Sequence, residues 1–167
     1  MKIYIEDIAD KMEEADDNWE AYLNLKTGEI VDVGVEYHSL VEELEEDEEI
    51  PNRFKDWEKE FIETALEVEE NWGDYVKLPD KFAIHEYSIM EDFIDSIKSD
   101  RKRTVLYDAI SGRGAFRRFK DKVYDMGLEE IWFAFKFKAY CKIARRWCED
   151  HQIEYAFKEE KNRGLKN

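Results

Sequence analysis

The segment from Leu128 to Asp150 constrains the fold more than any other part of the chain. Ile131, Trp132, Phe135, Ala139, Ile143 and Trp147 recur through it at helical spacing, and Gly127 closes it off on the N-terminal side. A helix of that length runs about 34 Å. Between Trp132 and Phe137 it is apolar on nearly every side, which calls for a central position with other elements packed round it. A strand through Ile131, Phe133, Phe135 and Phe137 is the alternative, but the length of the run and the Ala, Lys and Arg residues that continue it favour a helix. A chain of 167 residues, 43% apolar and 14% aromatic, has enough material to cover such a helix within one domain. Its 41% charged residues do not make it a disordered composition.

The remaining pattern supplies the covering elements. Ile5, Ile8, Ala9 and Met12 predict a short amphipathic helix that ends in Asp16, Asp17 and Asn18. Trp19, Ala21, Leu23 and Leu25 alternate with polar or amphipathic residues, and Val31, Val33 and Val35 alternate again beyond Lys26-Thr27-Gly28-Glu29. Period two on both sides of a Gly-bearing turn predicts a β-hairpin. Pro51 is suited to open a helix whose stripe is Phe54, Trp57, Phe61, Ala65, Val68 and Trp72, stopped by Gly73. Leu78-Pro79-Asp80 is a turn. Three further helices use Met90, Phe93, Ile94 and Ile97, then Val105, Leu106, Ala109 and Ile110 up to a Gly112 cap, then Phe116, Phe119 and Val123. Gln152 to Phe157 is a candidate last strand pairing with the hairpin, and Lys158 to Asn167 a polar, frayed tail. The expected architecture is a single α+β domain over residues 1–157, mostly helical, with an N-terminal β-hairpin and one C-terminal strand.

The net charge of −16 is unevenly distributed. Residues 1–100 hold 9 basic and 32 acidic side chains, residues 101–167 hold 17 basic and 10 acidic, so the two parts stand at −23 and +7. The run Glu42, Glu43, Glu45, Glu46, Asp47, Glu48, Glu49 repels itself and reads as a solvated loop or frayed helix end. Two cysteines, Cys141 and Cys148, are too few for a disulfide framework and have no CxxC spacing, so they read as buried thiols. Nothing near Met1 resembles a signal peptide or a spanning helix, and the chain reads as soluble and intracellular, with no membrane partner. His38, His85 and His151 stand in unrelated contexts without a second ligand at metal spacing, so neither a metal nor another cofactor is expected.

One stretch stands apart: Ser111-Gly112-Arg113-Gly114-Ala115-Phe116-Arg117-Arg118-Phe119-Lys120-Asp121. Two glycines at alternate positions free the backbone, and the helix behind them offers unpaired N–H groups and a positive dipole end. Arg113, Gly114, Arg117, Arg118 and Lys120 are therefore candidates to hold a phosphate, a carboxylate or an acidic protein segment. Neither a P-loop nor a GxGxxG motif is present, because no Lys-Ser/Thr pair follows and Arg117 occupies the third glycine position. Glu91, Asp92 and Asp95 of the preceding helix are possible acidic counterparts to the arginines.

Ala21-Tyr22-Leu23-Asn24-Leu25-Lys26-Thr27-Gly28-Glu29-Ile30, Leu78-Pro79-Asp80, Tyr87 to Ile94, GRGAFRRFKD from Gly112 to Asp121 and the Trp132-Phe133-Ala134-Phe135 helix together resemble the bacterial uncharacterised protein family UPF 0158. The resemblance runs in order over about residues 3–157. It implies a cytoplasmic bacterial protein and no assigned activity, cofactor or catalytic residue, and it sets Glu91, Asp92, Arg113, Arg117 and Arg118 within the family motifs.

Three functions are consistent with this sequence. The first is a non-enzymatic binding or regulatory module that captures an anionic group at the basic turn: a nucleotide, a nucleic-acid phosphate or an acidic peptide. Duplex DNA is the least suited of these ligands, given the −23 charge of the first hundred residues. The second is an enzyme on a phosphorylated or otherwise anionic substrate with Glu91 or Asp92 as general base. The third is a structural or partner-binding protein whose arginines only pair with the acidic helix.

Overall fold

A computed structural model describes residues 2–44 and 49–158. In chain order these form α1 (Ile5–Glu13), β1 (Trp19–Asn24), β2 (Ile30–Gly34), α2 (Val35–Glu43), α3 (Asp56–Glu70), a 3-10 turn (Trp72–Asp74), β3 (Tyr75–Lys77), α4 (Lys81–Ile84), α5 (Glu86–Ser96), α6 (Asp100–Ala109), α7 (Ala115–Asp125) and α8 (Glu129–Asp150). The architecture is α+β and mostly helical, with one small antiparallel sheet in the order β2-β1-β3.

The hairpin forms where period two predicts it. Leu23 pairs with Ile30 across the turn, and the Asn24 side chain accepts hydrogen bonds from the Lys26 and Thr27 N–H groups at 2.8 and 3.2 Å, an Asx-type turn. Both faces of β1 are covered. Ala21, Leu23 and Leu25 face one apolar cluster, while Tyr22 faces another together with Val31 and Val33 of β2. The first cluster holds α1, α5, α6, α7 and α8; the second is built by α2 and α3. Within the first, the Phe93 ring meets Phe119, Trp132 and Phe135 edge-on at centroid distances of 6.1, 5.1 and 5.4 Å, and Phe119 meets Trp132 at 4.8 Å. Edge-to-face packing of this kind stabilises beyond the burial of the rings.

Several sequence expectations shift once the elements pack. Val35 does not continue β2: the strand stops at Gly34 and Val35 opens α2. A Cβ on Gly34 would lie 2.8 Å from the Tyr37 ring, so only glycine admits this close approach. Pro51 does not open α3, which starts at Asp56. There the Glu58 carboxylate reaches back to accept the Lys55 N–H at 2.8 Å and supplies the start signal. The buried face of α3 is Ile62, Ala65 and Val68; Trp57 lies at its exposed edge, and Trp72 sits beyond the helix in the 3-10 turn. The third strand, β3, carries only three residues, too few to show a period in the sequence. Gln152 to Phe157 does not join the hairpin. It runs extended beside the chain entering α1, with a single parallel bridge between Tyr4 and Ala156 and hydrogen bonds of 3.1 and 2.9 Å.

Helix α8 is continuous as predicted, and Trp132, Tyr140, Ala144, Trp147 and Cys148 are buried. It is not buried all round: Ile131 is exposed and Phe133 is 61% exposed, because α1, α5 and α7 cover only part of its circumference. Of the acidic run, Glu42 and Glu43 end α2 and Glu49 lies in the loop before Pro51, whereas Glu45, Glu46, Asp47 and Glu48 lie outside the described residues, as do residues 159–167 of the tail.

Truncating the ring on which the aromatic cluster converges tests this packing. Phe93→Ala is expected to cost about 3–5 kcal/mol in urea unfolding, and Trp57→Ala less than about 1 kcal/mol.

Candidate functional site

The basic turn joins α6 to α7, and its shape comes from two left-handed glycines, Gly112 at φ +79° and Gly114 at φ +74°. Gly114 takes the cap position of α7 with no side chain capping the helix and no acid in the first turn. The chain reverses so sharply that several carbonyls of the α6 end face the same point, and Arg118 fills it. Its Nε donates to the Ala109 carbonyl at 2.9 Å, one Nη to the Ser111 carbonyl at 2.5 Å, and the other Nη to the Arg113 carbonyl. The planar guanidinium fork matches three converging acceptors in a way that a lysine point charge does not. Tyr87 of α5 satisfies the remaining carbonyl, donating its hydroxyl to Ile110 at 3.1 Å.

The candidate cations therefore divide. Arg118 is engaged with the backbone of its own turn, while Arg113, Arg117 and Lys120 lie exposed. Among the described residues no ion pair joins any of these three to a carboxylate, including Glu91, Asp92 and Asp95. The acidic face of α5 meets Tyr107 of α6 instead: Asp95 accepts the Tyr107 hydroxyl proton. That hydrogen bond first, then partial desolvation and the charges of Asp95, Glu91 and Asp92, pushes the Tyr107 hydroxyl up to about 12.

Along the outside of α7, Phe116, Lys120 and Tyr124 fall at i, i+4 and i+8, flanked by Arg113 and Arg117. Phe116 is 46% and Tyr124 72% exposed, which is unusual for large rings on a helix whose inner face, Ala115, Phe119 and Val123, is well buried. The opposite flank is acidic: a shallow depression between α6 and α7 is lined by Asp108, Asp121 and Asp125 beside Arg118 and Lys122. The exposed cations Arg117 and Lys120 of α7 and these carboxylates therefore lie on different sides of the helix.

Other candidates are dispersed. His85 connects α4 to α5 in a left-handed conformation, Glu86 pairs with Lys136 at 3.4 Å, and His151 caps α8 with its Nδ1 2.8 Å from the Trp147 carbonyl. His38 is different. The fold brings it against Glu20, Glu42 and Glu69, a grouping that no spacing in the sequence announces. A cleft of about 780 Å³ opens beside Glu20 and is lined by Trp19, Phe61, Leu78, Pro79 and Phe82. Among the described residues no helix is long and apolar enough to cross a membrane.

Burial pushes the thiols of Cys141 and Cys148 up to about 11, with nearby carboxylates adding to the shift. Both are thiols at neutral pH and poor nucleophiles. Their folded values lie above the ordinary 9.0, so the stability they contribute is complete below pH 9 and declines as pH rises toward 11. Denaturation curves should show that decline, a Cys141→Ala, Cys148→Ala variant should lessen it, and a disulfide reagent should label the native protein slowly at pH 8.

Replacing Arg118 should loosen the turn without touching the outer stripe. Arg118→Ala is expected to cost about 1–3 kcal/mol, for the loss of charge-assisted hydrogen bonds, and Arg118→Lys to recover less than half of it in thermal unfolding.

The sequence model of the Uncharacterised protein family (UPF 0158) matches residues 1–166. No curated protein and no solved structure matches the chain.

Proposed function

We propose that this chain, which belongs to the UPF 0158 family, works as a non-enzymatic binding module that takes single-stranded nucleic acid on the outer stripe of α7. The observation that carries this reading is the pairing of exposed cations that have no carboxylate partner among the described residues, Arg113, Arg117 and Lys120, with exposed rings at helical spacing, Phe116 and Tyr124. Phosphates are held by the guanidinium groups and by the N-terminus of α7, which no side chain caps. Bases stack on Phe116 and Tyr124, which is sequence-tolerant because every base offers a π-face.

The local charge supports the assignment. Residues 100–125 carry 8 basic and 4 acidic side chains, a net +4 within a chain of −16. A narrow positive stripe on an acidic body accepts a flexible single strand and disfavours a rigid duplex, whose second backbone would approach the negative surfaces. A cytoplasmic location fits a nucleic-acid ligand. The alternative of Glu91 or Asp92 as a general base has less behind it: of the acids on α5, Asp95 is the one that bonds Tyr107, while Glu91 and Asp92 act on that hydroxyl only through their charge.

Fluorescence anisotropy with a labelled twelve-nucleotide RNA at 50 and 200 mM salt tests the reading. Wild type should bind saturably and lose affinity steeply with salt. Arg113→Ala, Arg117→Ala should weaken binding at least tenfold and flatten the salt slope. Phe116→Ala, Tyr124→Ala should weaken it about tenfold with the slope kept. RNA affinity indifferent to both double variants, or no affinity at all, refutes the proposal.

A further inference from the structure

We propose that His38, Glu42 and Glu69 form a binding site for one divalent first-row transition-metal ion of the Mn²⁺ or Zn²⁺ class. The three come from separate turns: His38 and Glu42 lie one turn apart on α2, and Glu69 lies near the end of α3. His38 Nε2 is 3.3 Å from a Glu69 oxygen and 3.8 Å from a Glu42 oxygen, and all three donor atoms lie within 4.8 Å of one another. Donors bound at about 2.1 Å round one ion are roughly 3.0–3.4 Å apart, so the cluster needs only a small contraction to close on a metal.

The other ring nitrogen supplies the second argument. His38 Nδ1 is 3.3 Å from Glu20 Oε2, and Glu20 is itself held by the Tyr22 hydroxyl at 2.6 Å and by Lys77 at 3.3 Å. A carboxylate behind the imidazole orients the ring and raises its basicity as a ligand, the outer-shell arrangement of metal-binding histidines. Each ring nitrogen thus faces a carboxylate, Nδ1 that of Glu20 and Nε2 that of Glu69. With the proton on Nδ1 toward Glu20, the Nε2 lone pair is a ligand for a cation that Glu42 and Glu69 also reach.

Charge leads to the same conclusion. Glu20, Glu42 and Glu69 contribute three negative charges against one positive charge from Lys77, leaving −2 for a divalent ion to balance. The imidazole donor favours a transition metal over Mg²⁺ or Ca²⁺, which take oxygen ligands. The His38 side chain is only 14% exposed and is flanked by the Trp72 ring at 6.0 Å, whereas Glu42 and Glu69 open to solvent, so the remaining coordination positions belong to water or an incoming ligand.

The test is metal content by mass spectrometry on the full chain after exposure to Zn²⁺, Mn²⁺ or Mg²⁺ and desalting, with Mn²⁺ titrations followed by electron paramagnetic resonance. One equivalent of Zn²⁺ or Mn²⁺ and no retained Mg²⁺ is the expected result. Glu42→Gln, Glu69→Gln, at exposed positions that leave the core intact, should weaken binding at least a hundredfold. Glu20→Gln should weaken it ten- to hundredfold, and Arg113→Ala, Arg117→Ala should leave it unchanged. Circular dichroism melts of the metal-free variants check that each is folded. Wild type that retains no stoichiometric metal, or affinity that survives Glu42→Gln, Glu69→Gln, overturns the assignment.

Discussion

The burial of both faces of β1 is the constraint from which the rest of the structure follows. Tyr22 and Leu23 are neighbours in the chain, point to opposite faces and are 2% and 0% exposed. A strand with two dry faces needs apolar layers on each: α1 and the helices α5–α8 supply one, α2 and α3 the other. The Tyr22 hydroxyl then enters an apolar layer and must find an acceptor. Glu20, two residues back on the same face, accepts it at 2.6 Å. Burial first, then this hydrogen bond and the charges of Glu20, Glu42 and Glu69, holds the Tyr22 hydroxyl well above its ordinary range. Once Glu20 is fixed, its second contact places His38. The polar cluster on the small sheet is thus a consequence of how the strand is covered.

A similar division of labour builds the turn between α6 and α7. Two glycines allow a reversal tight enough to crowd the carbonyls of Ala109, Ile110, Ser111 and Arg113, and the backbone then needs donors that it cannot itself supply. Arg118 and Tyr87 provide them. All three arginines of the motif are exposed, but Arg118 alone of them bonds the backbone of the turn among the described residues. Arg117 and Arg118, adjacent in the chain, are set apart by the helical phase of their side chains, and Arg113 by its place in the turn before α7. The depression between α6 and α7 places Asp108, Asp121 and Asp125 beside Arg118 and Lys122.

Much of the fold was legible in the residues. The helices α1, α5, α6, α7 and α8 and the hairpin follow from apolar period and glycine positions, which are properties of neighbouring residues. Three features escaped for physical reasons. β3 is three residues long, too short for a period, and exists because the β1 edge offers unpaired hydrogen-bonding groups. α2 looked like a strand extension because Val35 keeps the alternation, and only the contact of Gly34 with the Tyr37 ring breaks it. α3 starts five residues beyond Pro51 because a side-chain cap at Glu58 outweighs the proline signal.

Of the candidate sites, the basic turn could be located from its glycines and arginines, whereas which arginine is spent on the backbone could not, since Arg117 and Arg118 differ only by 100° of helical rotation. The His38 cluster was invisible in one dimension: Glu20, His38, Glu42 and Glu69 belong to a strand and two helices, and only His38 and Glu42 show a helical spacing. The sequence by itself determined the helical periods, the Gly-bearing hairpin turn and the split of charge into an acidic and a basic part, because these are properties of residue identity and near-neighbour spacing. Tertiary structure alone decided which face of each helix is covered, which guanidinium is consumed and which carboxylates surround one imidazole, because those outcomes depend on contacts between segments far apart in the chain.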